Sequence, residues 1–280
     1  MFFGLRNRNP GLGTLLWKKE RNLSALLAET GEERLWIIPG DNLLPGTANI
    51  EWQVKKRIIK EIHGLPADFV IVDLGGGSSW NVIDFWLAGN GGIVVTIPEI
   101  TSIITSYSFL KSAAYRLLTQ AYPEDSAERQ EFLRYAGEKT EGGGLSFLAF
   151  AEALARRFPG RGRAGLEALR SLLPCVVINR ARETADAGIG HRLLDISEKN
   201  LGIRISFGAF LPDDEAVGGS IAARRPLFDL DCQSPYSRAV GSFAETLAAS
   251  PVPSPIALPL PLADEDIDLL ALAALGNGNA

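Results

Sequence analysis

Apolar positions along this chain follow two rhythms: short unbroken runs, and longer stretches in which they return every three or four residues. Phe69–Val72 and Gly92–Ile97 are of the first kind. So is Val176–Asn179, with Asn179 emerging at its end, while Ile203–Phe210, broken by Arg204 and Ser206, reads as a further strand. Runs this short and this apolar predict strands buried on both faces. Leu35–Ile38 is a further strand candidate, closed by the loop residues Pro39-Gly40-Asp41-Asn42. The second rhythm predicts helices. Ile50, Val54, Ile58 and Ile62 form one stripe, with Lys55, Lys56 and Lys60 off it on an expected solvated face. Asn81–Leu87 reads as a short helix. Thr101 or Ser102 is placed to cap a long one with the stripe Ile103, Tyr107, Leu110, Ala114 and Leu117. Ile189–Leu201 and Ser234–Ala248 complete the set, and Asn22 suits the cap of a short helix carrying Leu23, Leu26 and Leu27.

Strands alternating with helices predict an α/β fold: a mainly parallel, doubly wound sheet with right-handed crossovers. Residues 123–172 change character, being more polar and helical in pattern around Phe132 and Leu145–Phe158, and they read as a helical insert. Residues 1–21 look irregular. The expected organisation is one α/β domain over 1–249, followed by a tail over 250–280. Pro251, Pro253, Pro255, Pro259 and Pro261 make the start of that tail an extended linker. Asp264–Leu275 is acidic then apolar, suited to at most one helix, and 276–280 should fray.

Composition narrows the function classes. With 28 Lys and Arg against 33 Asp and Glu, the net charge of −5 gives no general attraction to nucleic acid or anionic membrane. Cys175 and Cys232 fit no Cys-x-x-Cys pattern, and Cys175, heading an apolar run, reads as a small buried hydrophobe. His63 and His191 are the only histidines, too few for a histidine zinc site or a catalytic triad with its orienting partners. No run approaches the roughly 18 apolar residues of a membrane span, and Met1–Pro10 lacks a signal-peptide core. A cytoplasmic protein is expected. Arg156, Arg157, Arg161 and Arg163 read as a solvated loop cluster.

The chemistry concentrates where the first long run ends, in Asp68–Ser79, DFVIVDLGGGSS. A carboxylate at the carboxyl end of a buried parallel strand, followed by a glycine turn, is where open α/β sheets bind ligands. Three readings of Asp73 stand side by side. It holds Mg²⁺ through water in a nucleotide hydrolase, or it opens a glycine loop, Gly75-Gly76-Gly77, around a cofactor such as S-adenosylmethionine, as in a methyltransferase. In the third it merely caps the next helix.

The ends of four successive apolar runs read Asp73-Leu74-Gly75, Thr96-Ile97-Pro98-Glu99-Ile100-Thr101-Ser102, Asn179-Arg180 and Leu211-Pro212-Asp213-Asp214. In that order and spacing the chain resembles the MinD/ParA family of dimeric P-loop ATPases, especially its flagellar-number (FlhG-like) branch, from about residue 1 to 249. Trp36–Asn42 and Phe109–Leu118 look like family segments too. The resemblance implies that Asp73 anchors Mg²⁺ through water, while Gly75 and Gly76 lie in the loop that senses the γ-phosphate of ATP. It likewise implies that Asn179 hydrogen-bonds the adenine edge, and that Pro212 and Asp213 line the base pocket. A protein partner, ATP-driven homodimers and a role in placing division sites, flagella, chromosomes or other cargo are the family's properties. The methyltransferase reading accounts for only Asp73–Gly77, with Glu99 as a ribose carboxylate.

The departures from the family matter as much. The chain holds no Gly-Lys pair, hence no phosphate loop ending Gly-Lys-Ser/Thr, and no first-switch aspartate ahead of Met1. Gly137-Glu138-Lys139-Thr140 lacks the upstream glycine and strand to serve instead. The expectation is an N-terminally incomplete relative that does not hydrolyse ATP and binds it weakly, with a non-catalytic interaction module as the alternative. The resemblance also places the absent phosphate-loop strand between Phe69–Val72 and Ile93–Ile97, which leaves two apolar edges open to association. Finally, Asp264, Glu265, Asp266 and Asp268 are expected to keep the tail off anionic lipid, unlike the basic anchor of MinD.

Overall fold

The computed structural model describes residues 11–16, 22–40, 50–89, 92–140, 145–249 and 264–275. They fall into two units, Met1–Gly75 with Glu215–Gln233, and Gly76–Asp214 with Ser234–Ala280. The expectations for 1–10, 17–21, 41–42, 250–263 and 276–280 lie outside the described residues.

In the first unit, the short helix α1 (Leu12–Leu16) is tied down by its Leu12 N–H, which donates to the Pro39 carbonyl at 2.9 Å. Leu23, not Asn22, takes the cap position, although the Asn22 side chain accepts from the Ala25 N–H at 3.0 Å, and only a 3-10 turn, Ser24–Leu26, follows. Two-residue strands β1 (Ala28–Glu29) and β2 (Trp36–Ile37) then pair antiparallel. Helix α2 (Trp52–Ile62) buries Ile58 as its periodicity predicts. Its lysine face is not wholly solvated: Lys55 is buried, its stem covered while its ammonium lies 5.3 Å from the centroid of the Trp52 ring.

The strand expected at Phe69–Val72 does not form. All four side chains are exposed, Ile71 to 92%. A strand is held by its ladder and by the side chains opposite, and no strand among the described residues pairs with this one. Apolar, β-branched composition without a neighbour leaves irregular chain.

The second unit carries the α/β layers. Ser79 accepts from the Val82 N–H and opens α3 (Trp80–Ala88). Strand β3 (Ile93–Thr96) leads to the 22-residue helix α4 (Ile100–Ala121). The cap of α4 is Glu99, without a side-chain bond, so Thr101 and Ser102 lie inside the first turn rather than capping it. Helices α5 (Ala127–Thr140), α6 (Phe147–Arg157) and α7 (Gly162–Ser171) occupy the polar segment. They are held on a buried aromatic cluster in which Tyr135 and Phe150 stack 4.1 Å apart and Phe132 is fully enclosed. Strand β4 (Cys175–Ala181), helix α8 (Ala187–Leu201, stopped by Gly202 at φ +71°) and strand β5 (Ser206–Pro212) follow. Helices α9 (Glu215–Ala223) and α10 (Leu227–Leu230) belong to the first unit. Helix α11 (Pro235–Ala249) and helix α12 (Asp264–Leu275) return to the second.

The sheet runs β3-β4-β5, all parallel. Alternation along the strands separates its faces. Phe207 faces α8, where it meets Gly190. Val177, Ala209 and Leu211 face α11, packing on Tyr236, Ala239 and Phe243. Ile93 and Val95 pair with Cys175 and Val177 and share the face that α11 covers further along. On β3 that cover is missing, and Val95 is 61% exposed. The Cys175 N–H donates to the Gly92 carbonyl, so Val94 and Thr96 bond toward β4. The backbone groups of Ile93 and Val95 therefore point to the outer edge, where no described strand pairs.

Between α3 and α4, Asp84 is clamped by Arg116 through two hydrogen bonds of 2.6 and 2.9 Å and by Gln120 at 3.2 Å. The Asp84 side chain is only 3% exposed. Removing one partner of a buried pair costs about 3–5 kcal/mol, because the other charge stays buried. Asp84→Ala should therefore lower the urea unfolding free energy by about 3 kcal/mol, and Asp84→Asn with Arg116→Met should recover part of it. A loss below about 0.5 kcal/mol, the scale of a surface substitution, would contradict this. The bare edge and face of β3 carry a second expectation: light scattering records self-association that rises with concentration, and Val95→Lys, a charge of the kind that blunts sheet edges, reduces it. A monomer melting in one sharp, concentration-independent transition above about 60 °C would contradict that.

Candidate functional site

At the carboxyl ends of β4 and β5 the ladder is interrupted. Ile178 pairs with Phe210 and Ala181 with Pro212, so Asn179 and Arg180 together oppose Leu211 alone. That is a β-bulge, and Arg180 supplies its left-handed residue at φ +57°. Glycine is the usual occupant. An arginine there holds strain of about 1 kcal/mol or more, offset by what the conformation makes possible. The Arg180 N–H donates to the Asn179 side-chain oxygen at 2.9 Å. The Asp213 N–H donates to the Ala181 carbonyl at 2.8 Å, which locks the end of β5 against the bulge.

The side chains converge as well. Arg180 donates to one Asp213 oxygen at 3.4 Å and Arg182 to the other at 3.1 Å. The Asp213 carboxyl is held below its ordinary value, chiefly by the Arg182 hydrogen bond and then by the bond and charge of Arg180. Desolvation opposes both. Asp186 closes the following turn, accepting from the N–H groups of Arg182 at 2.8 Å and Glu183 at 3.2 Å. One residue along, Asp214 accepts from the Tyr236 N–H at 3.2 Å and ties the loop to the start of α11.

Three of the residues singled out in the sequence, Asn179, Pro212 and Asp213, are thus one structural feature: a half-buried amide, a buried proline and an arginine-clamped carboxylate on adjacent strand ends. Asp73 and Gly75 belong to the first unit and Gly76 opens the second. All three are exposed, and a Cβ at either glycine would meet open space. Among the described residues Asp73 makes no hydrogen bond or ion pair, and no group of three or more His, Cys, Asp or Glu is placed to hold a metal ion. A metal at Asp73 would take the rest of its shell from water and ligand oxygens, as Mg²⁺ does. Arg182 was missed in the sequence. The signal was the Arg-x-Arg spacing at the end of a strand, which sends both guanidinium groups the same way.

In chemical terms, the Asn179 amide can donate to and accept from the edge of a planar heterocycle. Arg180 and Arg182 can release Asp213 toward an anion. Cys175, just upstream in β4, takes no part: burial pushes its thiol up to about 11, against a hydrogen bond with Ser206.

No family model matches this chain, and no curated protein matches it in sequence. Solved structures do. The MinD cell division protein of Aquifex aeolicus matches with a TM-score of 0.50 at 17% identity, over 90% of this chain and 80% of that one. The septum-site-determining protein MinD of Pyrococcus horikoshii OT3, solved with Mg-ADP, gives 0.48 at 17% identity, again over 90% and 80%. The first likeness shows that the chain has a MinD-like α/β fold, with a parallel sheet between helices as the alternation of its sequence predicts. Among the described residues, no helix is long and apolar enough to cross a membrane.

The Asp213 clamp makes a pH-dependent contribution of known sign. A carboxyl whose folded pKa lies below its unfolded value stabilises the fold above that unfolded value, about 3.9, and the contribution disappears as pH falls through the folded one. The gap between wild-type and Asp213→Asn urea midpoints should be constant above about pH 5 and narrow progressively below about pH 4. A gap that does not change with pH would mean that neither arginine senses the charge.

Proposed function

We propose that the protein is a MinD/ParA-type nucleotide-binding protein of the flagellar-number branch, concerned with spatial positioning, in which Asn179, Pro212 and Asp213 receive the base and the sequence lacks the Gly-Lys pair of a phosphate loop. The observation that carries the reading is the bulge at Asn179-Arg180, set beside Pro212-Asp213 on a MinD-like fold. A half-buried amide beside a proline-bounded strand end suits the edge and face of adenine. Among the described residues Gly75 and Gly76 are exposed and Asp73 makes no hydrogen bond or ion pair, and the sequence contains no Gly-Lys pair to cradle a triphosphate. Phosphoryl transfer depends on positioning and charge stabilisation by a phosphate loop, its lysine and Mg²⁺. When bound, Mg²⁺ would neutralise phosphate charge, and Asp73 is the carboxylate offered to it through water. The 280 residues by themselves therefore bind adenine nucleotide weakly and do not turn it over.

A second reading, a protein-interaction module on the same fold, is favoured by the exposure of Phe69–Val72 and of Ile93 and Val95, apolar surface of the kind partners cover.

The test is radiolabelled ATP turnover and equilibrium binding with Mg²⁺ on the full chain. Expected are turnover at background, unchanged by Asp73→Ala, and weak binding of adenine nucleotide that Asn179→Ala lowers by about 1 kcal/mol, roughly fivefold, the worth of a typical hydrogen bond. Turnover clearly above background and lost on Asp73→Ala would overturn the inactive reading. Binding indifferent to Asn179→Ala would overturn the placement of the base.

A further inference from the structure

The acidic-then-apolar segment at the end of the chain forms α12, and α12 is seated. It packs on β5, on α8, on the 3-10 turn Thr184–Asp186 and on α11, and so touches helices of both sheet faces together with the outermost strand. An element with those neighbours lies along the open edge of β5. Ile267 and Ala271, one helical turn apart, are buried to 1% and 0% exposure.

The body is shaped to receive them. Gly190 of α8 faces the Ile267 side chain, and a Cβ at Gly190 would overlap the Ile267 Cδ1 and come within 2.8 Å of the Phe207 ring. Glycine in mid-helix costs about 1 kcal/mol relative to alanine, so its presence marks a close approach that nothing larger permits. Beside the notch, His191 meets the Asp268 carboxylate at 3.4 Å. Leu269 and Leu272 remain on the outer side, 60% and 55% exposed.

We propose that the α8–β5 surface around Gly190 is a helix-receptor site whose occupant is the chain's own α12. The site selects an amphipathic acidic helix by three features. A branched aliphatic knob fits the Gly190 notch, a small residue one turn later allows close approach to β5, and a carboxylate next to the knob lies at the rim against His191. The first two fix the geometry. The third is an exposed contact of little energy, which sets register rather than affinity. This site lies outside the nucleotide reading above and does not depend on it. A tethered occupant competes at roughly millimolar effective concentration, so α12 holds the site against free helices, and whatever displaces it must carry the same pattern.

The experiment uses the full chain and a fluorescent peptide of residues 264–275. Hydrogen–deuterium exchange should find the α12 amides protected in the wild type and freely exchanging in Ile267→Asp, with β4 amides unchanged. Ala271→Arg serves as a second displacing variant. The peptide should bind Ile267→Asp, bind the wild type at least about tenfold more weakly because the tethered helix competes, and fail to bind when Gly190→Val is added to Ile267→Asp. Peptide binding that ignores Gly190→Val, or α12 amides that exchange freely in the wild type, would overturn the proposal. So would a wild-type dimer whose mass halves in Ile267→Asp, since the occupant would then be the helix of a second copy.

Discussion

The structure depends on the requirement that β4 satisfy its backbone on two sides and its side chains on two faces. It is the one described strand with a ladder on each edge, and Cys175 to Ile178 are buried in succession. That burial explains why both helical layers are needed: α4 and α8 on one side, α11 on the other. Packing of this closeness is unforgiving. A Cβ at Gly208 would overlap Phe243 and come within 2.5 Å of the Cys175 sulfur. The register shift between Val176 and Val177 lets β5 absorb that glycine without losing the ladder. The clamped carboxylate and the bulge are the far end of the same ladder, so the candidate site inherits its precision from the core beneath it.

The parts of the fold legible in the sequence were those fixed by local periodicity. Alternation of runs and stripes placed β3, β4, β5, α4, α8 and α11 within a few residues. A strand buried on both faces, as β4 is, tolerates little but apolar residues, whereas β3, read the same way, leaves Ile93 and Val95 exposed on one face. Boundaries moved where capping chemistry was ambiguous. Glu99 caps α4 although Thr101 and Ser102 are the better cap residues, since the chain leaves β3 through Pro98 and has already turned. Phe69–Val72 was misread for a deeper reason. Its composition reports what a strand would need, not whether a neighbour exists, and pairing is set by residues far away in sequence. Strand β2 falls within the expected Leu35–Ile38, but its partner β1 escaped notice, because a two-residue strand leaves no periodic trace.

The candidate site divides along the same line. Asn179, Pro212 and Asp213 were legible because each ends an apolar run, and a parallel register carries such ends to the same height. Their chemistry was legible only in part. The arginine pair that governs Asp213 depends on a bulge, and a bulge is a difference in count between two strands that neither strand reveals alone. Asp73 ends a run as convincingly as Asn179 does, yet without a ladder it has no fixed height, and its carboxylate stands among exposed residues.

The two edges of the sheet show how covering, rather than composition, decides whether apolar surface is a liability. β5 ends the sheet on one side as β3 does on the other. Along β5, α12 contributes Ile267 and Ala271, and Leu211, Ala209 and Phe210 are buried. Along β3, no described element does the same, and Ile93 and Val95 stand exposed. Four acidic residues precede or interrupt the apolar part of α12, which made the segment look like a solvated tail. A helix needs only one apolar stripe to dock, and Ile267 with Ala271 is that stripe. Asp268 stays exposed beside that stripe, where it meets His191. A short acidic helix is thus well suited to close a sheet edge reversibly: its apolar stripe is too narrow to bind irreversibly, and its charge keeps it soluble when it lets go.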